Sequence, residues 1–169
     1  RLSRVSHASR RAALRGLLRA ADVEALLVTD LVNVRYLTGF TGSNATLLLH
    51  VDGDAASRFC TDGRYATQSA AEVPDMERVI DRGGALVLAR AADGLAVTRL
   101  GFESDVVTVD QHEALRAACC GIQPAPEFGV DQPVLRTMHH QQRRADAGHP
   151  LQRVEALRNQ RSHRQPAPL

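Results

Sequence analysis

Two short stretches hold most of the residues whose types and spacing could do chemistry. The first runs Asn33-x-x-Tyr36-Leu37-Thr38-Gly39-Phe40-Thr41-Gly42-Ser43-Asn44, and the second is Thr61-Asp62-Gly63-Arg64-Tyr65. Gly39 and Gly42 permit backbone angles closed to other residues, so the chain around them can fold tightly. Phe40 is most simply an anchor that buries this loop. Ser43 and Asn44 are short polar groups able to satisfy local backbone donors or to face a ligand. Asp62 can cap a helix while Arg64 pairs with a carboxylate. An internal cap and ion pair is therefore favoured over substrate contact for Asp62, Arg64 and Tyr65. Absences narrow the chemistry further. All 21 basic residues are arginine, so the lysine of a P-loop is missing. His112-Glu113 is followed by Ala114, Leu115 and Arg116, which breaks the His-Glu-x-x-His zinc pattern. Cys60 and the adjacent Cys119 and Cys120 fit neither a disulfide framework nor a zinc ribbon. A reducing, cytoplasmic setting is the simplest expectation.

These residues need elements to hold them. Leu14, Leu17, Leu18 and Ala21 follow the spacing of one buried face and predict a first helix. That reading is favoured over a transit peptide, which the Arg- and Ser-rich start superficially matches. Residues 25–29 form an apolar run suited to a strand buried on both faces. A turn or short helical link at 30–33 then leads into the loop from Tyr36 to Asn44. Residues 45–51 predict a second strand, Asp52-Gly53-Asp54 a hairpin turn, and residues 57–61 a third strand. A helix through Arg64 to Ala71 stops before Pro74. Strands follow at 77–81 and 99–103, with a helix at 85–92 between them. The next helix is capped by Thr108 or Asp110, with Glu113 placed to complete a capping box on Asp110. It carries Leu115 and Ala118 inward and stops at Gly121, and Ile122 begins a last short strand. This order implies an α/β domain with a mixed sheet, because the hairpin makes two strands antiparallel.

The two stretches, together with Leu100-Gly101-Phe102-Glu103 and the preceding Ala25–Asp30 run, resemble the signature of the creatinase/prolidase N-terminal domain of bacterial Xaa-Pro peptidases. The resemblance covers roughly residues 10–130. It implies a three-layer fold of the ribonuclease H-like kind, a mixed β-sheet flanked by helices. It also implies that the segment after the Tyr-x-x-Gly motif, Phe40 to Asn44, reaches towards a neighbouring subunit's active site. Phe40, Ser43 and Asn44 are on that basis a candidate substrate-shaping loop, with Tyr36, Gly39, Gly42, Asp62, Arg64 and Tyr65 as structural motif residues. Intact relatives are expected to hydrolyse Xaa-Pro bonds with two manganese or similar divalent ions, held by two Asp, one His and two Glu of a separate C-terminal domain. After residue 130 this chain offers only Asp131, Asp146 and Glu155 as carboxylates. The expectation is therefore no metal, no cofactor and no catalytic residue in this chain.

Composition divides the chain near its end. The net charge is +2, yet residues 136–169 hold seven Arg against Asp146 and Glu155, and four of the seven His. Residues 1–130 are read as the domain and 131–169 as an irregular, disordered tail. A truncated or decayed gene product is one expectation from that join. The leading functional expectation is a non-catalytic domain serving dimerisation and active-site access in intact relatives, where proline-containing peptides would be the substrates. The alternative is a stand-alone binding module of the same fold. Self-association is expected. Nucleic-acid binding is not, because the tail's arginines lack interleaved aromatics. Nor is a membrane, because no apolar run approaches the length of a span.

Overall fold

The computed structural model describes residues 6–119 and the two-residue strand at 123–124. The elements in chain order are α1 (His7–Ala20), β1 (Ala25–Val28), α2 (Leu31–Thr38), β2 (Thr46–His50), β3 (Arg58–Thr61), a 3₁₀ turn (Gly63–Tyr65), α3 (Ala66–Glu72), β4 (Glu77–Ile80), α4 (Gly84–Gly94), β5 (Arg99–Phe102), α5 (Val109–Ala118) and β6 (Gln123–Pro124). The six strands lie in the order β4-β3-β2-β1-β5-β6. β2 runs antiparallel to both β1 and β3, and every other pairing is parallel. This is the mixed sheet that the hairpin predicted. The expected division at residue 130 and the tail beyond it lie outside the described residues.

Alternation along the central strands builds the layers, because successive strand residues face opposite ways. Leu26 and Val28 of β1, with Leu47 and Leu49 of β2, pack with Leu14 and Leu18 of α1 and Val34 and Leu37 of α2. Leu27 and Leu48, which are register partners, face the other way onto Leu88 and Ala92 of α4 and Leu115 of α5. Both strands are buried along their whole length, which is why their sequences read as continuous apolar runs.

Four elements differ from the sequence expectation. In α1, Leu17 is 43% exposed, and Arg11 and Arg15 are buried in its place. Arg11 Nε and Nη2 donate to the two oxygens of Asp54 at 2.9 and 2.8 Å, and its Nη1 donates to the Leu37 carbonyl. Arg11 also bonds Asp75, and Arg15 donates to Asp54 and to the His50 carbonyl. The buried guanidinium groups are each bonded to a carboxylate and to a main-chain carbonyl, which offsets their loss of water. Second, Tyr36 lies within α2 and not in a loop. Asp30 caps the helix by accepting from Val32 N, and Gly39 ends it at φ 83°. Third, the hairpin connection is longer than a tight turn, since β2 ends at His50 and β3 begins at Arg58. Fourth, the capping box of α5 is Thr108 with Gln111, and not Asp110 with Glu113. The helix closes at Ala118 with Cys119 as its cap, ahead of the expected stop at Gly121.

Candidate functional site

Strand directions bring the motifs together. β1, β3, β4 and β5 all end, and β2 begins, at one edge of the sheet. The loop at 39–45 enters β2 there, Asp62–Tyr65 follows β3, and Glu103 follows β5. The three sequence motifs thus stand side by side, and hydrogen bonds join the first to each of the other two.

Phe40 is 1% exposed and lies in the core, with its ring edge-to-face on Phe59 at 5.0 Å and on Tyr65 at 5.7 Å. It anchors the loop and does not line a surface, so it is removed from the substrate-shaping set. Gly42 is required by the same packing, because a Cβ there would sit 2.4 Å from the Phe40 ring and 3.0 Å from that of Tyr65. The remaining loop residues are exposed but held from below. Thr41 donates to Glu72 through both N and Oγ1 at 2.8 Å, and Gln68 braces the same pair. Ser43 Oγ lies 2.6 Å from Tyr65 Oη. Asn44 Nδ2 donates to Asp62 Oδ2 at 2.7 Å, and Thr61 Oγ1 donates to the Asn44 carbonyl at 2.6 Å. Asp62 also caps the 3₁₀ turn through Arg64 N and takes Nε and Nη2 of Arg64. The Arg64 and Asn44 side chains hold its carboxyl far below the usual carboxylate range. The loop is therefore a rigid ridge with its polar groups already oriented.

Glu103 ties the third motif to the first. Its side chain is fully buried, and Oε2 accepts from Thr29 N at 2.6 Å and Asp30 N at 2.8 Å. Oε1 accepts from Asn33 Nδ2 at 2.6 Å. Burial pushes this carboxyl up, against the pull of those donors. Asn33 Oδ1 is buried without a hydrogen-bond partner. The network pins the start of α2, and α2 carries the loop at its other end. There the Tyr36 carbonyl accepts from Arg10 at 2.9 Å and lies 3.0 Å from His7 Nδ1, which places basic side chains on the helix's negative end.

Sequence reasoning did not select Glu103, Glu72 or Gln68 as functional partners. Their loop partners are 27 to 74 residues away in the chain, so no local pattern marks them. The same edge is also rimmed by exposed apolar side chains, among them Val32 at 47%, Ile80 at 46% and Val109 at 74%. Between α4 and α5 it opens into a mostly apolar cavity of about 340 Å³, lined by Leu86, Val106, Val107 and Gln111 among others. Among the described residues, no three His, Cys, Asp or Glu side chains stand where they could share a metal ion. Asp62, Glu72 and Glu103 are each already taken up by internal donors, so the edge does not fit a two-metal centre.

The domain is a mixed sheet between two helical layers, with a braced glycine loop at its strand ends. The chain matches the family model "Creatinase/Prolidase N-terminal domain" over residues 10–132, and it belongs to that family. It is 35% identical over 115 residues to the "Uncharacterized peptidase YqhT" of Bacillus subtilis, covering 67% of this chain and 31% of the relative. It thus spans about a third of that relative's length. The crystal structure of the N-terminal domain of cytoplasmic peptidase PepQ from Mycobacterium tuberculosis is 41% identical, with a TM-score of 0.68, covering 76% of this chain and 97% of the other. A Xaa-Pro aminopeptidase structure from Streptococcus pyogenes is 28% identical, with a TM-score of 0.67, over 78% of this chain and 96% of the other. The fold and the family expected from the motifs are thereby established.

Proposed function

We propose that this domain does no hydrolysis itself and serves a Xaa-Pro peptidase by self-association and by shaping access to the active site of the assembled enzyme. The observation that carries this reading is the state of the carboxylates at the motif edge. Asp62, Glu72 and Glu103 are consumed by internal hydrogen bonds, leaving none of the three to hold a metal. The same bonds stiffen the loop, which suits a surface that must meet a partner in a fixed shape. The apolar side chains around it are of the kind that marks a protein-binding face. No described helix is long and apolar enough to cross a membrane, and the name of the mycobacterial relative supports a cytoplasmic setting.

Sedimentation equilibrium tests the association. The wild-type chain should form a dimer that Val109→Glu, a change at a 74% exposed position, dissociates. A monomer at every concentration in the wild type would remove the association half of the proposal.

A further inference from the structure

Most polar groups on the loop ridge are committed to internal partners. Thr41 is committed to Glu72 and Gln68, Asn44 Nδ2 to Asp62, and Phe40 to the core. Ser43 Oγ lies 2.6 Å from the phenolic oxygen of Tyr65. A tyrosine oxygen that accepts from a serine hydroxyl keeps its own proton for a further partner. Among the described residues, Tyr65 Oη has no hydrogen bond other than that to Ser43.

We propose that Ser43 donates to the Tyr65 oxygen as its positioning residue, and that Tyr65 is thereby the hydrogen-bond donor this edge presents to a peptide, meeting a carbonyl or carboxylate oxygen. The ring cannot swing away from that task. Phe40 meets it edge-to-face, Gly42 presses against it, and the Arg64 guanidinium lies 5.3 Å over its face. A donor fixed before binding loses little freedom when the ligand arrives. Hydrogen bonding by Ser43, aided by the Arg64 charge, also lowers the phenol's ionisation from its ordinary value. A more acidic phenol is a stronger donor to an acceptor oxygen, and a charged acceptor gains most. Ser43 therefore acts through Tyr65, and the inference shifts recognition from the loop to the turn after β3. It rests on the reading of this edge as the face that meets substrate.

The test uses the whole chain and the dipeptide Ala-Pro. In amide NMR spectra, Ala-Pro should shift the Ser43 and Tyr65 signals of the wild type. Tyr65→Phe keeps the ring and its packing but should weaken the response by roughly tenfold. Ser43→Ala should keep a weakened response. Tyr36 and Tyr65 are the two tyrosines and there is no Trp, so ultraviolet titration can follow the phenol directly. Ser43→Ala should return it towards the ordinary tyrosine value. Shifts that survive Tyr65→Phe, or a titration unchanged by Ser43→Ala, overturn the inference. A wild type that does not respond to Ala-Pro also overturns it, while leaving the non-catalytic reading to its own assay.

Discussion

Replacing Arg11 by Met tests how the first helix is held, because Met keeps much of the stem and removes the charged fork. Arg11 is fully buried and supplies two bonds to Asp54, one to Asp75 and one to the Leu37 carbonyl. Removing one member of a buried ion pair usually costs about 3–5 kcal/mol. The cost here falls towards the low end, because Asp54 retains Arg15 and its side chain is 28% exposed, and Asp75 is 47% exposed. The lost bond to the Leu37 carbonyl adds about 1 kcal/mol. A net loss of about 3 kcal/mol follows, which in a domain of this size lowers Tm by roughly 10–20 °C. Urea melts at neutral pH would measure it. Acid supplies a second reading. Burial pushes the Asp54 carboxyl up, but Arg11 and Arg15 hold it below its ordinary value of 3.8. A depressed carboxylate contributes stability above its unfolded value, and that contribution is lost as pH falls through the folded one. The wild type should therefore lose stability below about pH 3.8 more steeply than the Met variant. A loss under about 0.5 kcal/mol, within the range of ordinary surface changes, would refute the claim that this cluster fixes α1.

Glu103 offers two further tests. Glu103→Ala leaves Thr29 N, Asp30 N and Asn33 Nδ2 without an acceptor, a loss of about 3 kcal/mol or more, and added formate should restore part of it in thermal melts. Its folded ionisation lies above the ordinary 4.5, so the native state holds the proton more tightly than the unfolded chain. The stabilising contribution is present below 4.5 and is lost as pH rises through the folded value. Glu103→Gln should flatten that part of the stability profile, and an unchanged profile would assign the slope elsewhere.

Much of the fold was legible because its signals are local. Continuous apolar runs at β1 and β2, the turn at Asp52-Gly53-Asp54 and the glycine loop each announce themselves within a few residues. Misplaced features depend on distant partners. Nothing in α1 marks Arg11 as a core residue until Asp54, 43 positions later, is known to meet it. The Leu14-Leu17-Leu18 pattern therefore pulled Leu17 inward, when the buried stripe is Arg11, Leu14, Arg15 and Leu18. Asp30 and Gly39 carried the signature of a capped helix, but eight residues are too few for periodicity to show it. Two spacings at α5 suited a capping box, and the extended backbone at Thr108, φ −71° and ψ 165°, selects one. At the site, the motif residues were found as types, and the cap and ion pair of Asp62 and Arg64 as well, but the long-range bonds were not. Asn33 and Glu103 belong to separate motifs, 70 residues apart, and only the strand order shows that they bond.

The central claim is that this domain supports a peptidase without performing its chemistry. The most direct measurement incubates the purified chain with Ala-Pro and excess manganese and follows the release of free proline. The account predicts release no faster than in buffer with manganese alone. Turnover that rises with protein concentration and is abolished by a chelator would contradict it.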